Sequence, residues 1–307
     1  MPRARAVFLV NPASANGSTG RRWPELARRA AAAGLEGDAL FSERPGHLGE
    51  LAREAALGGA ELLVVVGGDG SVNEVANGLV ALDERPPLAI VPRGTGWDFV
   101  RTFGIPRSIE QAAEVALRGD TRTIDLGRAA YRAWDGTEAV SVFANVASAG
   151  MSGAIAQRAN ETTKALGGKA SYLWATFAVF SRWAATEVEL DVDGERRSGR
   201  MFDIVVANGK FFGGGMKICP DAEPDDGLLD VLTIGDVTKG DLVRTIAKIY
   251  RGTHLPHPKA ELLRGRAVTL TSSSALPVEL DGEQPGTTPV RFDVLPRALS
   301  LRVPIAP

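Results

Sequence analysis

The chain of 307 residues is poor in cysteine, in net charge and in long apolar runs. Its single cysteine, Cys219, excludes an intrachain disulfide and a cysteine-based zinc site, which suits a reducing compartment. A formal net charge of −2 lacks the basic excess that nucleic-acid binding requires. No stretch approaches the roughly 20 apolar residues that span a bilayer. We therefore expect a soluble, cytoplasmic protein without a nucleic-acid partner, whose membrane contact is peripheral.

Strand and helix patterns alternate over the first 125 residues. Short runs of apolar, often β-branched residues predict strands, and apolar residues at helical spacing predict the helices between them. This α/β alternation predicts an open, mostly parallel sheet with helices on both faces. The predicted strands cover 6–10, 38–42, 62–66, 88–91 and 121–126, and the predicted helices cover 23–33, 48–57, 71–82 and 109–118.

In the rest of the chain, short strands are separated by turn signals. This pattern predicts a second domain, an antiparallel β-sandwich over residues 126–297, after an α/β domain over residues 1–125. The C-terminal segment 298–307 could pack back on the first domain. Two helices are predicted in the second domain, at 150–183 in one or two pieces and at 239–250. The predicted strands cover 128–134, 140–147, 187–192, 200–208, 228–234, 267–272, 278–280 and 290–295, and the last segment, 298–303, could belong to either domain.

The most informative segment joins an apolar strand to a helix through glycines. Five apolar residues lead into Gly67-Gly68-Asp69-Gly70-Ser71, and helical spacing of apolar residues follows. Glycines in such a turn let backbone N–H groups converge on one anion, and the helix dipole adds to the attraction. Because the Asp69 carboxylate would repel a bare phosphate, we expect a metal-nucleotide or a sugar hydroxyl there. The alternative for Asp69 is to cap the helix that follows it.

Two other turns follow predicted strands in the same way, at residues 11–18 and 92–99. Turns at the carboxyl ends of successive strands can meet in one crevice. The convergence of three turns, rather than any one of them, predicts a nucleotide site. The sequence has no Walker lysine motif, and no G-x-G-x-x-G opens its first helix, which disfavours P-loop and ordinary Rossmann proteins.

Four blocks together resemble the catalytic core shared by diacylglycerol, sphingosine and ceramide kinases. They are Asn11-Pro12, Gly67 through Val75, Pro92-x-Gly94-Thr95-x-x-Asp98-Phe99 and Asp281-Gly282-Glu283, in the family's order over nearly the whole chain. The resemblance implies a nucleotide-binding α/β domain, a β-sandwich domain and an active cleft between them. It implies transfer of the γ-phosphoryl group of ATP, with Mg²⁺, to a lipid alcohol, closest to the conversion of diacylglycerol to phosphatidic acid.

The resemblance also implies site residues position by position. Glu283 matches the general base for the lipid hydroxyl, although a D-G-E tripeptide is also a common hairpin turn. Asp69 would hold ribose, phosphate-bound magnesium or a water between them, and Asp125 matches an acidic position near the phosphates. The positions that match residues around ATP are Asn11, Pro12, Ser42, Gly67, Gly68, Asp69, Gly70, Ser71, Asn73 and Thr95.

An acidic loop at residues 221–230 is rich in oxygen ligands that suit a hard divalent cation. In the bacterial lipid kinases that this chain resembles, the loop holds magnesium through one aspartate side chain and neighbouring carbonyls. That implies Asp226 with the carbonyls of Glu223 and Leu228, and a solvated turn is the alternative. Arg93 is a candidate phosphate partner or a surface charge.

Several points stay open in the sequence. Trp97 stands where the family commonly has asparagine, so its ring could stack on a base or face the acceptor. The aromatic stretch at 170–183 could pack in the hydrophobic core, or it could line a pocket for an acyl chain. Contact with the bilayer would use the same region. The acceptor could be a sphingoid or another lipid alcohol, and a homodimer is open. A non-catalytic nucleotide or lipid sensor is the alternative from another class, and an NAD-kinase-like phosphotransferase is disfavoured by the Asp281-Gly282-Glu283 block.

Overall fold

The computed structural model describes residues 5–94, 96–155, 158, 179–180 and 182–305. The chain divides into two compact units, one of residues 1–125 with 296–307 and one of residues 126–295. Thr95 and most of the helix predicted at 150–183 lie outside the described residues. None of the described helices is long and apolar enough to cross a bilayer.

The first unit is built on a parallel sheet whose central strands are apolar along their whole length. Strands β1, β3 and β4 are buried on both faces, which is why they read as continuous apolar runs. Their order is β4-β3-β1-β2, and every neighbouring pair is parallel. These elements are β1 (Ala6–Val10), α1 (Ser18–Ala32), β2 (Gly37–Phe41), α2 (His47–Leu57), β3 (Leu62–Gly67), α3 (Asp69–Leu79), β4 (Leu88–Pro92), α4 (Asp98–Thr102) and α5 (Ile109–Arg118).

The second unit is antiparallel. Its largest described apolar cluster contains the rings of Phe143 and Phe292, which meet edge to face with centroids 6.0 Å apart. The elements are β5 (Asp120–Ala133), β6 (Glu138–Phe143), β7 (Val146–Gly150), β8 (Thr186–Val192), β9 (Glu195–Ala207), β10 (Leu229–Gly235), α6 (Lys239–Arg251), β11 (Ala260–Gly265), β12 (Ala267–Ser272), β13 (Pro277–Leu280) and β14 (Glu283–Val303).

Neighbouring strands of the second unit follow the order β11-β10-β9-β7-β13-β14. Strand β8 lies between β9 and β12, β12 pairs with β14, and β5 pairs with β6. The last residues of β14 belong to the first unit, where Leu301 pairs in parallel with Leu88 of β4.

Several predicted segments were wrong in their bounds. The strands predicted at 121–126 and 128–134 are one strand, β5, and the strand predicted at 290–295 is part of a longer strand, β14, that continues through the last segment, 298–303. The strand predicted at 140–147 is interrupted between β6 and β7. Helix α1 begins at Ser18, because its first turn is polar and hides the start of the apolar periodicity.

Two of the described elements were not predicted. Helix α4 has only five residues, too few to show a helical period. Strand β11 carries Leu262 and Leu263 side by side, which obscures the alternation typical of a half-buried strand.

Candidate active site

The turns after β1 and β3 are joined by a side-chain hydrogen bond. Asn11 donates from Nδ2 to the Oγ of Ser71 over 3.1 Å. The backbone N–H of Asn11 donates to the carbonyl of Val66 over 3.0 Å. Gly67 lies at this contact, and a Cβ added there would stand 2.2 Å from the Ser71 Oγ. The packing of the Ser71 side chain against the end of β3 therefore requires glycine at position 67.

Asp69 joins the turn after β3 to the turn after β4. Its carboxylate accepts hydrogen bonds from the backbone N–H groups of Asp98 and Phe99 over 3.0 and 3.3 Å. These are the first residues of α4, so Asp69 stabilises the N-terminus of that helix. The proposed capping of its own helix is wrong in detail, because Asp69 is the first residue of α3 and Gly68 is the N-cap.

Arg93 brings a guanidinium to the same turns. Its backbone N–H donates to the carbonyl of Gly67 over 2.7 Å, and its Nη2 lies 3.5 Å from the Oγ of Ser18. Its Nε is buried and has no hydrogen-bond partner. Burial, followed by repulsion from nearby arginines, lowers the pKa of Arg93. A bound anion would satisfy both the charge and the Nε, so the site fits the phosphates of a nucleotide.

The other described positions predicted around ATP lie in the turns after these strands or in the first turns of α3. Ser42 follows β2, and its N–H donates to the carbonyl of Val10 over 3.0 Å. The carbonyl of Pro12 accepts from Gly20 over 3.1 Å. Gly70 is the second residue of α3, and Asn73 lies one turn further along the same helix. All four belong to the first unit, as do Asn11, Asp69 and Ser71.

Trp97 closes the turn after β4. Its indole Nε1 donates to the carbonyl of Gly94 over 2.8 Å. The guanidinium carbon of Arg107 lies 3.6 Å from the ring centroid, a cation–π contact. One face of the ring is therefore covered by Arg107, which leaves at most the other face for a base or an acceptor.

Asp125 is buried and makes a backbone contact inside the first unit. Its Oδ1 accepts from the N–H of Arg297 over 2.7 Å. Arg297 has a φ of 54°, in the left-handed region that is unfavourable for a side-chain-bearing residue. Asp125 thus stabilises a strained residue of β14.

Glu283 is presented by a tight hairpin between β13 and β14. Asp281 and Gly282 have φ values of 49° and 94°, and Leu280 pairs with Glu283. Two left-handed residues in a two-residue loop are the requirement of a type I′ turn, which Asp-Gly meets. The Asp281 carboxylate accepts three backbone hydrogen bonds, from Ala144, Asn145 and Val146, over 2.7, 2.9 and 2.9 Å. The hairpin is thereby fixed to the connection between β6 and β7, and the Glu283 side chain is exposed.

Two buried carboxyl groups near this hairpin were missed by the sequence analysis. Glu279 is 6% exposed, and it accepts from the Oγ of Ser148 over 2.8 Å and from the N–H of Gly282 over 2.5 Å. Burial raises the pKa of Glu279 to about 8. Burial also raises the pKa of Asp203, which accepts from Ser152, to about 7. The feature of the sequence that could have identified Glu279 is its place inside the otherwise apolar strand Pro277–Leu280.

The carboxylate of Asp226 is already engaged. Its Oδ1 accepts from the N–H of Leu228 over 3.0 Å, and its Oδ2 forms an ion pair with Arg264. The Nε of Arg264 lies 3.2 Å from an oxygen of Asp230, which is buried. Burial raises the pKa of Asp230 to about 6, against the lowering effect of Arg264.

The carboxylates of the loop predicted to hold magnesium are paired with basic side chains, and the assignment of Asp226 with the carbonyls of Glu223 and Leu228 stays a prediction. The carboxylate of Glu223 pairs with Lys210 over 2.9 Å, and its carbonyl accepts from the N–H of Asp226 over 3.4 Å. In the part of the chain that the structure describes, no three histidine, cysteine, aspartate or glutamate residues form a group that could hold a metal. The loop instead has a guanidinium and an ammonium group against its carboxylates.

Two family models match the chain, one in each half. The model described as diacylglycerol kinase catalytic domain matches residues 5–129. The model described as YegS C-terminal NAD kinase beta sandwich-like domain matches residues 145–303.

Bacterial relatives match over almost their whole length. The diacylglycerol kinase of Bacillus subtilis (strain 168) is 29% identical over 305 residues, which cover 99% of this chain and 97% of the relative. A crystal structure of a proposed diacylglycerol kinase from Bacillus anthracis str. Sterne has a TM-score of 0.80 at 25% identity, covering 98% of this chain and 95% of that one. Yeast NADH kinase complexed with NADH shares the fold, with a TM-score of 0.56 at 12% identity over 98% of this chain and 79% of that chain.

Proposed function

This chain belongs to the diacylglycerol kinase family and is a kinase, and from that premise we propose its reaction. The donor is ATP and the acceptor is the hydroxyl group of a membrane lipid. Diacylglycerol is the acceptor that the relatives' names favour, with phosphatidic acid as product.

The observation that carries the proposal is the meeting of three turns in the first unit. The Asn11–Ser71 bond joins the first two turns, and the bonds from Asp98 and Phe99 to Asp69 join the last two. The guanidinium of Arg93 lies among them with an unsatisfied Nε. Backbone amides, hydroxyls and one arginine are the groups that bind nucleotide phosphates. We assign Asp69 a positioning role, because its carboxylate holds α4.

Glu283, on the hairpin between β13 and β14, is the proposed general base. As the acceptor oxygen bonds to the γ-phosphorus, the bond from phosphorus to the bridging oxygen breaks and ADP leaves. The acceptor hydroxyl gives its proton to the Glu283 carboxylate. The exposed position of Glu283 on a hairpin fixed by Asp281 suits this role, since the base must be accessible and well placed.

Magnesium enters the proposal as part of the substrate, bound to the phosphates of ATP, where it reduces their negative charge. Asp226 with the carbonyls of Glu223 and Leu228 stays a proposed site for a bound magnesium ion, and no step depends on that loop. Asp125 stays a proposed site residue near the phosphates. The acceptor lies in a membrane, so we propose a cytoplasmic protein that meets the membrane peripherally.

Phosphoryl transfer from labelled ATP to micellar lipid alcohols tests the proposal. The panel contains diacylglycerol, a sphingoid base, ceramide and a prenyl alcohol. We expect product on diacylglycerol, lost in Glu283→Gln while that variant still binds ATP. Glu189→Gln, which changes an exposed glutamate on β8, is the matched control.

Each result has a distinct meaning. Product on a different lipid would show that this lipid, and not diacylglycerol, is the acceptor, and the chain would still be a lipid kinase. Turnover retained by Glu283→Gln would remove Glu283 as the base. No product on any alcohol, despite ATP binding, would contradict the proposed acceptor class.

A further inference from the structure

Helix α6 has an apolar stripe that faces solvent. Val243, Ile246 and Tyr250 are 64%, 47% and 51% exposed. Their spacing of three and four residues places them along one side of the helix, and the exposed Ala247 lies in the same stripe. Scattered apolar residues are normal on a surface, but a contiguous stripe indicates an interaction.

The opposite side of α6 holds the helix on the second unit. Ile249 is buried in an apolar cluster, and Thr245 and Ile249 line a groove beneath the helix. At the N-terminus, Thr238 and Asp241 form a reciprocal capping box. The helix is therefore well anchored, and its apolar stripe is exposed by the fold itself.

Basic residues border the stripe. Helix α6 carries four cations, Lys239, Arg244, Lys248 and Arg251, against one carboxylate, Asp241. All four cations are exposed. An apolar stripe with a basic border is typical of helices that lie in a membrane interface, where the cations meet anionic headgroups. A second copy of the chain fits less well, because a symmetric contact would bring the same cations together.

We propose that α6 is the surface through which this protein docks on an anionic bilayer. The stripe enters the boundary between headgroups and acyl chains, and the cations contact the headgroups. This inference rests on the proposed function, because a membrane-resident acceptor is what makes such docking useful. The helix differs from the aromatic stretch at 170–183, where the sequence placed bilayer contact.

Co-sedimentation with vesicles, without nucleotide or acceptor, tests the proposal. One vesicle is phosphatidylcholine alone, and the other contains equal parts of phosphatidylcholine and phosphatidylserine. The apolar variant combines Val243→Ser, Ile246→Ser and Tyr250→Ser, and the charge variant combines Arg244→Gln, Lys248→Gln and Arg251→Gln. The matched controls change exposed residues elsewhere, Leu57→Ser with Val140→Ser, and Arg53→Gln with Arg132→Gln.

We expect the wild-type protein to prefer the anionic vesicle. The charge variant is expected to bind it about a hundredfold more weakly, at about fivefold per cation, and the apolar variant at least about tenfold more weakly. The controls are expected to bind within about twofold of wild type. Wild-type binding by the α6 variants, no vesicle binding by the wild-type protein, or a loss of self-association in the apolar variant would each overturn the proposal.

The test separates this inference from the proposed function. Vesicle binding needs no turnover, so the co-sedimentation result supports or contradicts docking through α6 even if no lipid is phosphorylated. Conversely, phosphorylation of diacylglycerol in detergent micelles at the wild-type rate by the apolar variant would leave the reaction intact while docking is lost.

Discussion

The variant Glu279→Gln is expected to be more stable than the wild-type protein, by a margin that grows as the pH rises. The pKa of Glu279 is raised from its ordinary 4.5 to about 8 by burial. Between these values the folded state keeps the proton and the unfolded state loses it. The stability due to this group is therefore fully present below pH 4.5 and is lost as the pH rises through about 8. The loss is about 1.4 kcal/mol per pH unit within that window.

Glutamine resembles the neutral carboxyl group in shape, but it has no proton to lose. Its amide oxygen can accept from the N–H of Gly282, and its amide nitrogen can donate to Ser148. The two proteins are expected to have similar stability at about pH 5, and the variant is expected to gain about 4 kcal/mol over wild type by about pH 8. Other buried carboxyls, such as Asp203, contribute equally to both proteins and cancel in the difference, apart from their coupling to Glu279.

Urea unfolding followed by circular dichroism at several pH values measures this difference. Glu189→Gln, an exposed change, is expected to leave the pH slope at the wild-type value. A difference in unfolding free energy between Glu279→Gln and wild type that stays constant from pH 5 to pH 8 would refute the reasoning. It would show that the folded state does not hold Glu279 in its neutral form over this range.

Gly67→Ala is expected to cost about 1–3 kcal/mol and to lower activity, because the methyl group would overlap Ser71; Gly240→Ala, which has room for a methyl, is the control in thermal unfolding and kinase assays. Arg93→Gln is expected to weaken ATP binding at least about tenfold in calorimetry, and unchanged affinity would remove Arg93 from the phosphate site. Arg264→Ala is expected to cost about 2–3 kcal/mol at pH 8, because it leaves the buried Asp230 unpaired. The cost should shrink at pH 5, below the raised pKa of Asp230 of about 6, and equal losses at both values would argue against this pair.

Most elements of the first unit could be predicted from the sequence, because buried parallel strands are continuous apolar runs. The turns that follow them were also identifiable, since glycine and polar residues directly succeed each run. The partners of the polar side chains were not. Asp69 lies 29 residues from Asp98 in the chain, and only the tertiary fold brings its carboxylate to α4.

In the second unit, side chains with long-range partners were the hardest to predict. The Asp281-Gly282 pair indicated a hairpin. It did not indicate the three hydrogen bonds that the Asp281 carboxylate accepts from the backbone N–H groups of residues 144–146. Glu279 alternates with apolar neighbours as an outward-facing strand residue would, yet it is buried. Arg264 was not considered beside the acidic loop because β11, which carries it, was not predicted.

The bonds between the three turns have a consequence for how tightly a nucleotide can bind. Asn11 with Ser71, and Asp69 with the start of α4, are contacts of the fold itself. The conformational entropy of these turns is therefore lost during folding and not again at binding. A preorganised site of this kind should bind with little change in backbone mobility, and its affinity should fall when either bond is removed, even though neither bond need touch the ligand.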